Sequence, residues 1–283
     1  MTDLHVHSIY SDGEYTPFEI LEICHKRGIS TLAITDHNSM EGSKQAILNN
    51  PYKDITVISG IELGAASPVK SGTLHILGYN IDVENNALNE VTKAIMSDNV
   101  MRLKSCVDLL KKHYGLSFRE QDLEKIFESV GNIGRPDIAK LCVKYGYSTS
   151  VQEAFKSYIS PIKDEIIKRR VELTAKEAIE YIVNAHGTPC LAHPIELKLD
   201  FDTLKQYIRE LMSYGLEAVE VYQSKHVAEY TLRLEKLVCK HNLLTSIGSD
   251  YHGPCVTPDF EIGFGKNYNL LGKSATILSK ILR

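Results

Sequence analysis

The chain has 283 residues, of which 43% are hydrophobic and 24% are charged, and its formal net charge is -4. This composition is typical of one large globular domain or of a domain with an insert, and the charge argues against a protein that coats nucleic acid. No apolar run approaches the ~20 residues that cross a bilayer, and the polar N-terminus predicts neither a membrane anchor nor a signal peptide.

The six cysteines are scattered along the chain without any C-x-x-C spacing. This pattern predicts reduced, mostly buried thiols in a cytoplasmic protein, not a disulfide framework or a zinc–thiolate site. Any metal site in this chain is therefore expected to use imidazole and carboxylate ligands.

The first segment, Asp3-Leu4-His5-Val6-His7, predicts a strand that carries two candidate metal ligands. Side chains repeat every two residues along a strand, so both imidazoles face the same side and can bind one ion. Asp3 lies on or just before that face, where it could accept a ring N–H and fix the tautomer of a histidine. Asp12 follows in a Ser-Asp-Gly turn.

A capping box at Thr16 and Glu19, with Pro17 in the first turn, predicts a helix that ends at Gly28. The next segments alternate between buried strands and helices. Strands are predicted at 31–35, 55–58 and 74–79, with Ile61-Glu62-Leu63 after the second of them, and a second helix at 40–49.

From Asn86 onward the pattern changes, because apolar residues recur at steps of three and four through Leu110. This periodicity predicts a long amphipathic helix, and charged helical sequence continues to about residue 172. A turn-rich segment at 131–136 interrupts it. We therefore predict a helical insertion domain at 88–170 within a main domain formed by 1–87 and 171–283.

Strand and helix signals then alternate again. A capping box at Thr174 and Glu177 predicts a helix that Gly187 stops. Strands are predicted at 188–192, 216–221 and 243–247, and helices at 201–214 and 227–241. The series predicts an α/β fold with a parallel sheet, wound flat or closed as a barrel, whose site lies at the carboxyl ends of the strands.

Histidines and carboxylates collect just after the predicted strands, at Asp36-His37, Glu62, His193, His226 and Asp250 to His252. Imidazole and carboxylate without thiolate suit zinc, manganese or iron. The pooled candidate ligands are His5, His7, Asp12, His37, Glu62, His75, His193, Asp250 and His252. Nine ligands exceed the needs of one ion, so we expect two or three divalent ions, bridged by a carboxylate such as Glu62. Clustered ions activate a shared water for in-line attack on phosphorus.

These motifs in this order resemble the PHP (polymerase and histidinol phosphatase) family of metal-dependent phosphoesterases: D-x-H-x-H-S, S-D-G, T-D-H, a lone glutamate, A-H-P and S-D-x-H, from residue 3 to residue 253. The resemblance implies a distorted (β/α)7 barrel with metals at the carboxyl ends of its strands. The helical insert is similar to that of small stand-alone members that act on nucleoside 5′-monophosphates or 3′,5′-bisphosphates. A small phosphorylated substrate is therefore expected, without a membrane or a stable nucleic-acid partner.

The resemblance also implies three metal sites. The first would use His5, His7, Glu62 and Asp250, the second Glu62, His75 and His193, and the third Asp12, His37 and His252. His75 could also be an ordinary core histidine within its strand. Asp36 is a candidate ligand, proton acceptor or orienting group.

Three further positions bear on the substrate. Arg135 presents a planar fork for phosphate oxygens, although Asp137 stands where the family usually has a histidine. His226 is expected to contact phosphate or to protonate the leaving oxygen. Lys225 beside it could be an ordinary surface charge.

Two alternatives to a nucleotide phosphatase remain at this stage. One is a different phosphoesterase, either an exonuclease on short oligonucleotides or a histidinol-phosphate-type phosphatase. The other is a metal-binding regulatory module without turnover. The remaining histidines, without a motif around them, are interpreted as surface or capping groups: His25, His113, His186 and His241.

Overall fold

The structure is a computed structural model that describes residues 1–129, 131, 133–167 and 171–282. The chain divides into two compact units. The first, here called the sheet unit, contains Met1–Glu90 and Glu172–Arg283, and the second, the helical unit, contains Val91–Val171. The predicted boundary at residue 170 lies outside the described residues, as does Asn132 in the predicted turn at 131–136.

Eight strands are found among the described residues of the sheet unit. They are β1 (Thr2–Val6), β2 (Thr31–Ile34), β3 (Thr56–Ile58), β4 (Gly60–Ala65), β5 (Leu74–Tyr79), β6 (Thr188–Leu191), β7 (Ala218–Gln223) and β8 (Leu244–Gly248). They form one sheet in the order β1-β2-β3 and a second in the order β4-β5-β6-β7-β8. Isolated bridges from Val6 to Tyr251 and from His37 to Glu62 connect the two sheets.

The predicted α/β class is confirmed. Among the described residues the two sheets do not close into a barrel, so the expected (β/α)7 barrel is not confirmed. The five-stranded sheet is also not wholly parallel, because β5 runs antiparallel to both β4 and β6. A reversed strand places its amino end beside the carboxyl ends of its neighbours. His75, the second residue of β5, therefore reaches the same edge of the sheet as the residues that follow β6.

Helices cover the strands of the sheet unit. They are α1 (Pro17–Arg27), α2 (Glu41–Leu48), the start of α3 (Asn86–Tyr114), α7 (Ala175–Asn184), α8 (Phe201–Tyr214), α9 (Ala228–Lys240) and α10 (Leu278–Ile281). The capping boxes predicted for α1 and α7 are both present. Helix α7 ends three residues before Gly187, because the chain leaves the helix through His186 in a left-handed conformation.

Two apolar clusters support the strands. One packs Leu4, Tyr79, Ile247 and Ile277 between the sheets and the C-terminal segment, and the other packs Val6, Ile20, Leu32 and Ile34 beneath α1. Four of the six cysteines are buried, and Cys239 and Cys255 are exposed. These clusters fix the strands whose ends carry the candidate ligands.

The helical unit contains most of α3, together with α4 (Glu120–Phe127), α5 (Arg135–Lys144) and α6 (Val151–Ala154), which continues as a π-helical turn at Phe155–Ile159. Its core joins Leu103, Cys106 and Leu110 of α3 to Ile138 and Cys142 of α5. No helix among the described residues is both long enough and apolar enough to cross a membrane.

Candidate metal centre

The centre begins with the two histidines of the first segment. The Nε2 atoms of His5 and His7 lie 3.1 Å apart, so the strand places both rings on one face, as alternation predicts. Asp250, which follows β8, brings its Oδ1 atom within 3.5 Å of His5 Nε2 and 3.4 Å of His7 Nε2. The three side chains are buried together.

Glu62 forms the middle of the centre. It lies inside strand β4 and not after a strand as predicted, and its side chain is fully buried. One oxygen, Oε1, lies 2.9 Å from His75 Nδ1 and 3.0 Å from His193 Nε2. The other, Oε2, lies 2.8 Å from His37 Nδ1. One carboxylate therefore reaches rings from three different segments.

The outer part of the centre gathers around Asp12. Its carboxylate lies 3.3 Å from His252 Nε2, 3.6 Å from His7 Nδ1 and 3.8 Å from His37 Nε2. The rings of His7 and His252 stack with their centroids 3.9 Å apart. Asp12 is the most exposed member, with 46% of its side chain accessible, so this side of the centre is open to solvent.

All nine predicted ligands are thus brought together. They form four overlapping groups whose ligand atoms lie within 4.8 Å of one another: His7, Asp12, His37 and His252; His5, His7 and Asp250; His5, Glu62 and His193; and His37, Glu62 and His75. His37 is shared between two groups, whereas the family resemblance implies one site for it.

The residues fit a cluster of divalent cations. Glu62 Oε2 is buried and makes no well-aligned hydrogen bond to the described residues, although three ring nitrogens lie within 3.4 Å of it. Ligands held about 2.1 Å from one ion lie roughly 3.0–3.4 Å from each other, which is the spacing seen here. Nitrogen and oxygen donors without thiolate suit zinc, manganese or iron.

Burial and the neighbouring charged groups together shift the pKa values of the residues in the centre. Burial alone would raise the pKa of the Glu62 carboxyl, but the rings of His37, His75 and His5 hold it well below its ordinary value. Burial lowers the pKa of His75 to about 4, so this ring is neutral and free to donate a lone pair. Burial also opposes a charge on His7, but Asp250 and Glu62 outweigh it and raise that pKa to about 10.

Asp36 supports the centre from beneath. Its carboxylate accepts hydrogen bonds from the backbone N–H of Ser8 at 2.7 Å, from Ser8 Oγ at 2.7 Å and from Ser11 Oγ at 2.6 Å. It therefore holds the loop between His7 and Asp12. Both of its oxygens are occupied, which favours the orienting role among those predicted for it.

Asp3 does not accept a ring proton as predicted. Its carboxylate accepts backbone N–H groups of His5, Ser249 and Gly263 and so ties β1 to the segment after β8. The ring of His5 instead contacts Glu220, whose Oε1 atom lies 2.9 Å from His5 Nδ1. Sequence reasoning missed Glu220, although a lone charge within the apolar run Ala218-Val219-Glu220-Val221 was the available signal.

His226 lies outside the four ligand groups. Its ring is buried, and Nδ1 lies 2.9 Å from the carbonyl oxygen of Val221. A carbonyl can only accept, so Nδ1 carries the proton and Nε2 has a free lone pair. That Nε2 atom is buried and makes no hydrogen bond to the described residues.

Arg135 belongs to the helical unit, where it is the exposed first residue of α5. Asp137, which replaces the family's usual histidine, accepts the backbone N–H of Gly134 at 2.9 Å and so caps this helix. The histidines interpreted as surface or capping groups lie elsewhere: His25 pairs with Asp54, and His113 pairs with Glu165.

Comparison with known proteins gives the family. A 5'-3' exoribonuclease of Haemophilus influenzae is 25% identical over 283 residues and covers 98% of each chain. A 3',5'-nucleoside bisphosphate phosphatase of Chromobacterium violaceum is 26% identical, over 89% of this chain and 87% of its own. A solved structure from Bifidobacterium adolescentis, named as a proposed metal-dependent phosphoesterase, has a TM-score of 0.76 and 25% identity, over 99% of this chain and 95% of its own.

These names all describe phosphoesterases, which agrees with the hydrolase predicted from the sequence. The family model named PHP domain matches residues 3–178, which is more than half of the chain. The predicted membership is therefore confirmed, and the chain belongs to the PHP domain family.

Proposed function

We propose that the centre holds two or three divalent ions, manganese, iron or zinc, and hydrolyses phosphate monoesters of small molecules. The favoured substrates are nucleoside 5′-monophosphates or 3′,5′-bisphosphates. The observation that carries the proposal is the buried carboxylate of Glu62, which lies within 3.4 Å of ring nitrogens from five histidines. A buried carboxylate among so many ring nitrogens needs positive charge beside it, which either protons on the rings or bound cations can supply.

The side chains of the chain have separate tasks in this proposal. Bound ions would supply hydroxide at neutral pH and neutralise the oxygens of the phosphoryl group. His5, His7, Glu62 and Asp250 would hold one ion, Glu62, His75 and His193 a second, and Asp12, His37 and His252 a third. Asp36 keeps the loop of Asp12 in place through Ser8 and Ser11.

Two predicted groups would act on the substrate. Arg135 is exposed, and Asp137 caps the helix in its place. The Arg135 guanidinium would therefore be available to bind phosphate oxygens. His226 would face the leaving oxygen through Nε2, the nitrogen that its contact with Val221 leaves free. To act as an acid there it must first gain a second proton, which burial of the ring opposes by lowering its pKa.

The second candidate function is exonuclease activity on short oligonucleotides. It is favoured by the 5'-3' exoribonuclease relative, which matches nearly the whole chain. The net charge of -4 offers no general attraction for a long strand, so only short oligonucleotides are proposed.

The deciding experiment is turnover against a panel of esters, with manganese, iron or zinc added to metal-free protein. The panel contains a nucleoside 5′-monophosphate, a 3′,5′-bisphosphate, histidinol phosphate and a short RNA. Release of inorganic phosphate from the nucleotides, with little cleavage of RNA, is expected. Preferred shortening of the RNA would favour the second candidate, and no hydrolysis with any metal would overturn both.

A further inference from the structure

Glu220 lies directly beneath the metal centre, in the middle of strand β7, and is fully buried. Its Oε1 atom is 2.9 Å from the Nδ1 atom of His5. Its Oε2 atom accepts the backbone N–H of His193 at 2.7 Å. One carboxylate thus contacts two candidate ligands that come from different strands.

The contact with His5 decides which ring nitrogen faces the centre. When a cation occupies the centre the His5 ring is neutral, and because a carboxylate oxygen accepts, the contact with Glu220 places the ring proton on Nδ1. The lone pair is then on Nε2, the atom that lies beside His7, Glu62 and Asp250. With the opposite tautomer this atom would carry a hydrogen and could not bind a cation.

The contact with His193 holds a strained backbone. His193 has φ 23° and ψ 64°, in the left-handed region that residues other than glycine seldom adopt. This conformation turns the chain sharply after β6 and directs the ring towards Glu62. The hydrogen bond from His193 N–H to Glu220 fixes the turn.

Gly248, the last residue of β8, has no side chain and so leaves space for the contact between His5 and Glu220. A Cβ atom at this position would lie 2.2 Å from His5 Cβ and 2.7 Å from Glu220 Oε1. Any larger residue would push the carboxylate and the ring apart. Strands β1, β7 and β8 are therefore tightly packed where His5 meets Glu220.

We propose that Glu220 is a positioning residue that presents His5 and His193 to the ions. This inference depends on the proposed metal centre. Second-sphere carboxylates of this kind change metal affinity by about 10- to 100-fold. Glu220 does more than fill space in the core, because each of its two carboxylate oxygens contacts a different candidate ligand.

The test is Glu220→Gln, which keeps the shape but has only one acceptor oxygen. That oxygen can accept a hydrogen bond from the His5 ring or from the backbone N–H of His193, but not from both. Titration of manganese or zinc into the metal-free variant is expected to show affinity about 10- to 100-fold weaker than wild type. Nitrogen NMR of the zinc-loaded proteins is expected to show the Nδ1–H tautomer of His5 in the wild type and its loss in the variant. Glu217→Gln, an exposed carboxylate just before the same strand, is the control and should bind as wild type does.

Glu220→Asp covers the case in which the glutamine variant does not fold, because it retains the charge but cannot reach both partners. Wild-type metal affinity in a folded Glu220→Gln or Glu220→Asp protein would overturn the inference. Failure of the wild-type protein to bind any metal would instead overturn the proposed function.

An independent observation concerns the contacts of Lys225. Its Nζ atom lies 2.8 Å from Glu196 Oε1 and 3.8 Å from Asp250 Oδ2. Gln223 holds the turn in place: its Oε1 atom accepts the backbone N–H of Lys225 at 2.6 Å, and its Nε2 atom donates to Asp250 Oδ2 at 3.3 Å. Asn269 Nδ2 lies within 3.4 Å of the carbonyl oxygens of residues 223, 224 and 226.

These contacts place a cation beside a candidate ligand, on a turn that is fixed at both ends. The Lys225 side chain remains 41% exposed, so an oxygen from solvent or substrate can reach it. We infer that Lys225 binds a non-bridging oxygen of the phosphate that is attacked. An ammonium group supplies a point charge suited to this task. The inference depends on the proposed phosphoesterase function.

The test compares Lys225→Gln and Lys225→Ala with Lys205→Ala, a lysine that pairs with Asp202 on the surface of α8. Inorganic phosphate is the binding probe, because it needs no knowledge of the ester. Both Lys225 variants are expected to bind phosphate about 10-fold or more weakly and to lose kcat/KM similarly, with unchanged metal content. Wild-type phosphate affinity in either folded variant would overturn this inference, whereas absence of phosphate binding and turnover in the metal-loaded wild type would overturn the proposed function.

Discussion

The Nε2 atoms of His5 and His7 face each other at 3.1 Å, with Glu62 Oε2 within 3.4 Å of both. Two ring lone pairs cannot hydrogen-bond to each other, so a proton or a cation must lie between them. Without a cation, the pKa of His7 is about 10, because Asp250 and Glu62 outweigh its burial and retain the proton.

A proton and a metal ion compete for the ring nitrogens of His5 and His7. At pH 7.5 the metal-free protein holds a proton that a cation must displace, so metal binding should release protons. Calorimetric titration in two buffers of different ionisation enthalpy measures this release. The affinity for the metal should rise with pH. A chelator should also lower the Tm of the metal-loaded protein, because a ligand present at 100 Kd stabilises the folded state by about 2.7 kcal/mol. Binding heats that do not depend on the buffer would contradict the prediction.

Glu62→Gln should abolish turnover and reduce the number of bound metal ions. The substitution keeps the volume but replaces one bridging oxygen with an NH2 group, which repels a cation. Metal content is measured after gel filtration, and turnover on the preferred ester. A variant that retains the full complement of ions would contradict the bridging role.

Gly42→Ala should destabilise the protein by about 1–3 kcal/mol and loosen the loop that carries Asp12. A Cβ atom at residue 42 would lie 2.0 Å from Asp36 Oδ2 and 2.5 Å from Ser8 Oγ, so Asp36 must move. Gly64→Ala is the matched control, because its Cβ atom would make only an ordinary contact, 3.8 Å from His75. Denaturant unfolding compares the two, and equal losses would contradict the assigned packing of Gly42.

Arg135→Ala should lower kcat/KM by roughly 10-fold or more while metal content stays unchanged. Arg135 is exposed, and Asp137 rather than Arg135 caps the start of α5, so the variant is expected to fold. Arg119→Ala, another exposed arginine in the helical unit, is the control. Loss of metal in Arg135→Ala equal to that in Glu62→Gln would contradict both roles.

His226 should make stability depend on pH. Burial lowers the pKa of the folded His226 ring below 6.5, so the folded protein resists protonation while the unfolded chain accepts it. The contribution of the neutral ring is therefore present above pH 6.5 and is lost as the pH falls through the folded pKa. The difference in unfolding free energy between wild type and His226→Gln should shrink between pH 7.5 and 5.5. A constant difference would contradict a buried neutral ring.

Local signals in the sequence were sufficient for much of the fold. The capping boxes of α1 and α7 predicted where these helices begin, because an N-cap hydroxyl and a glutamate three residues later act within one turn. The same holds for the ligands: the alternation in β1 predicted that His5 and His7 would share a face, because side-chain direction in a strand is a local property. The α/β class followed from the alternation of such segments.

The direction of β5 could not be predicted in this way. Apolar patterning is the same for a parallel and an antiparallel strand, so the sequence does not distinguish them. Only the pairing of β5 with β4 and β6 showed that His75 reaches the centre from the amino end of its strand. The same limit applies to the closure of the sheets, which depends on partners far apart in the chain.

The sequence by itself determined the family, the candidate ligands and the local elements, because each depends on residue identity or short-range spacing. Tertiary structure alone decided which groups support the ligands. Glu220 is 215 residues from His5 in the chain, yet its carboxylate replaces Asp3 as the partner of the His5 ring. Long-range packing brought them together, since a buried carboxylate requires a donor and the approach of β7 and β8 to β1 supplied one.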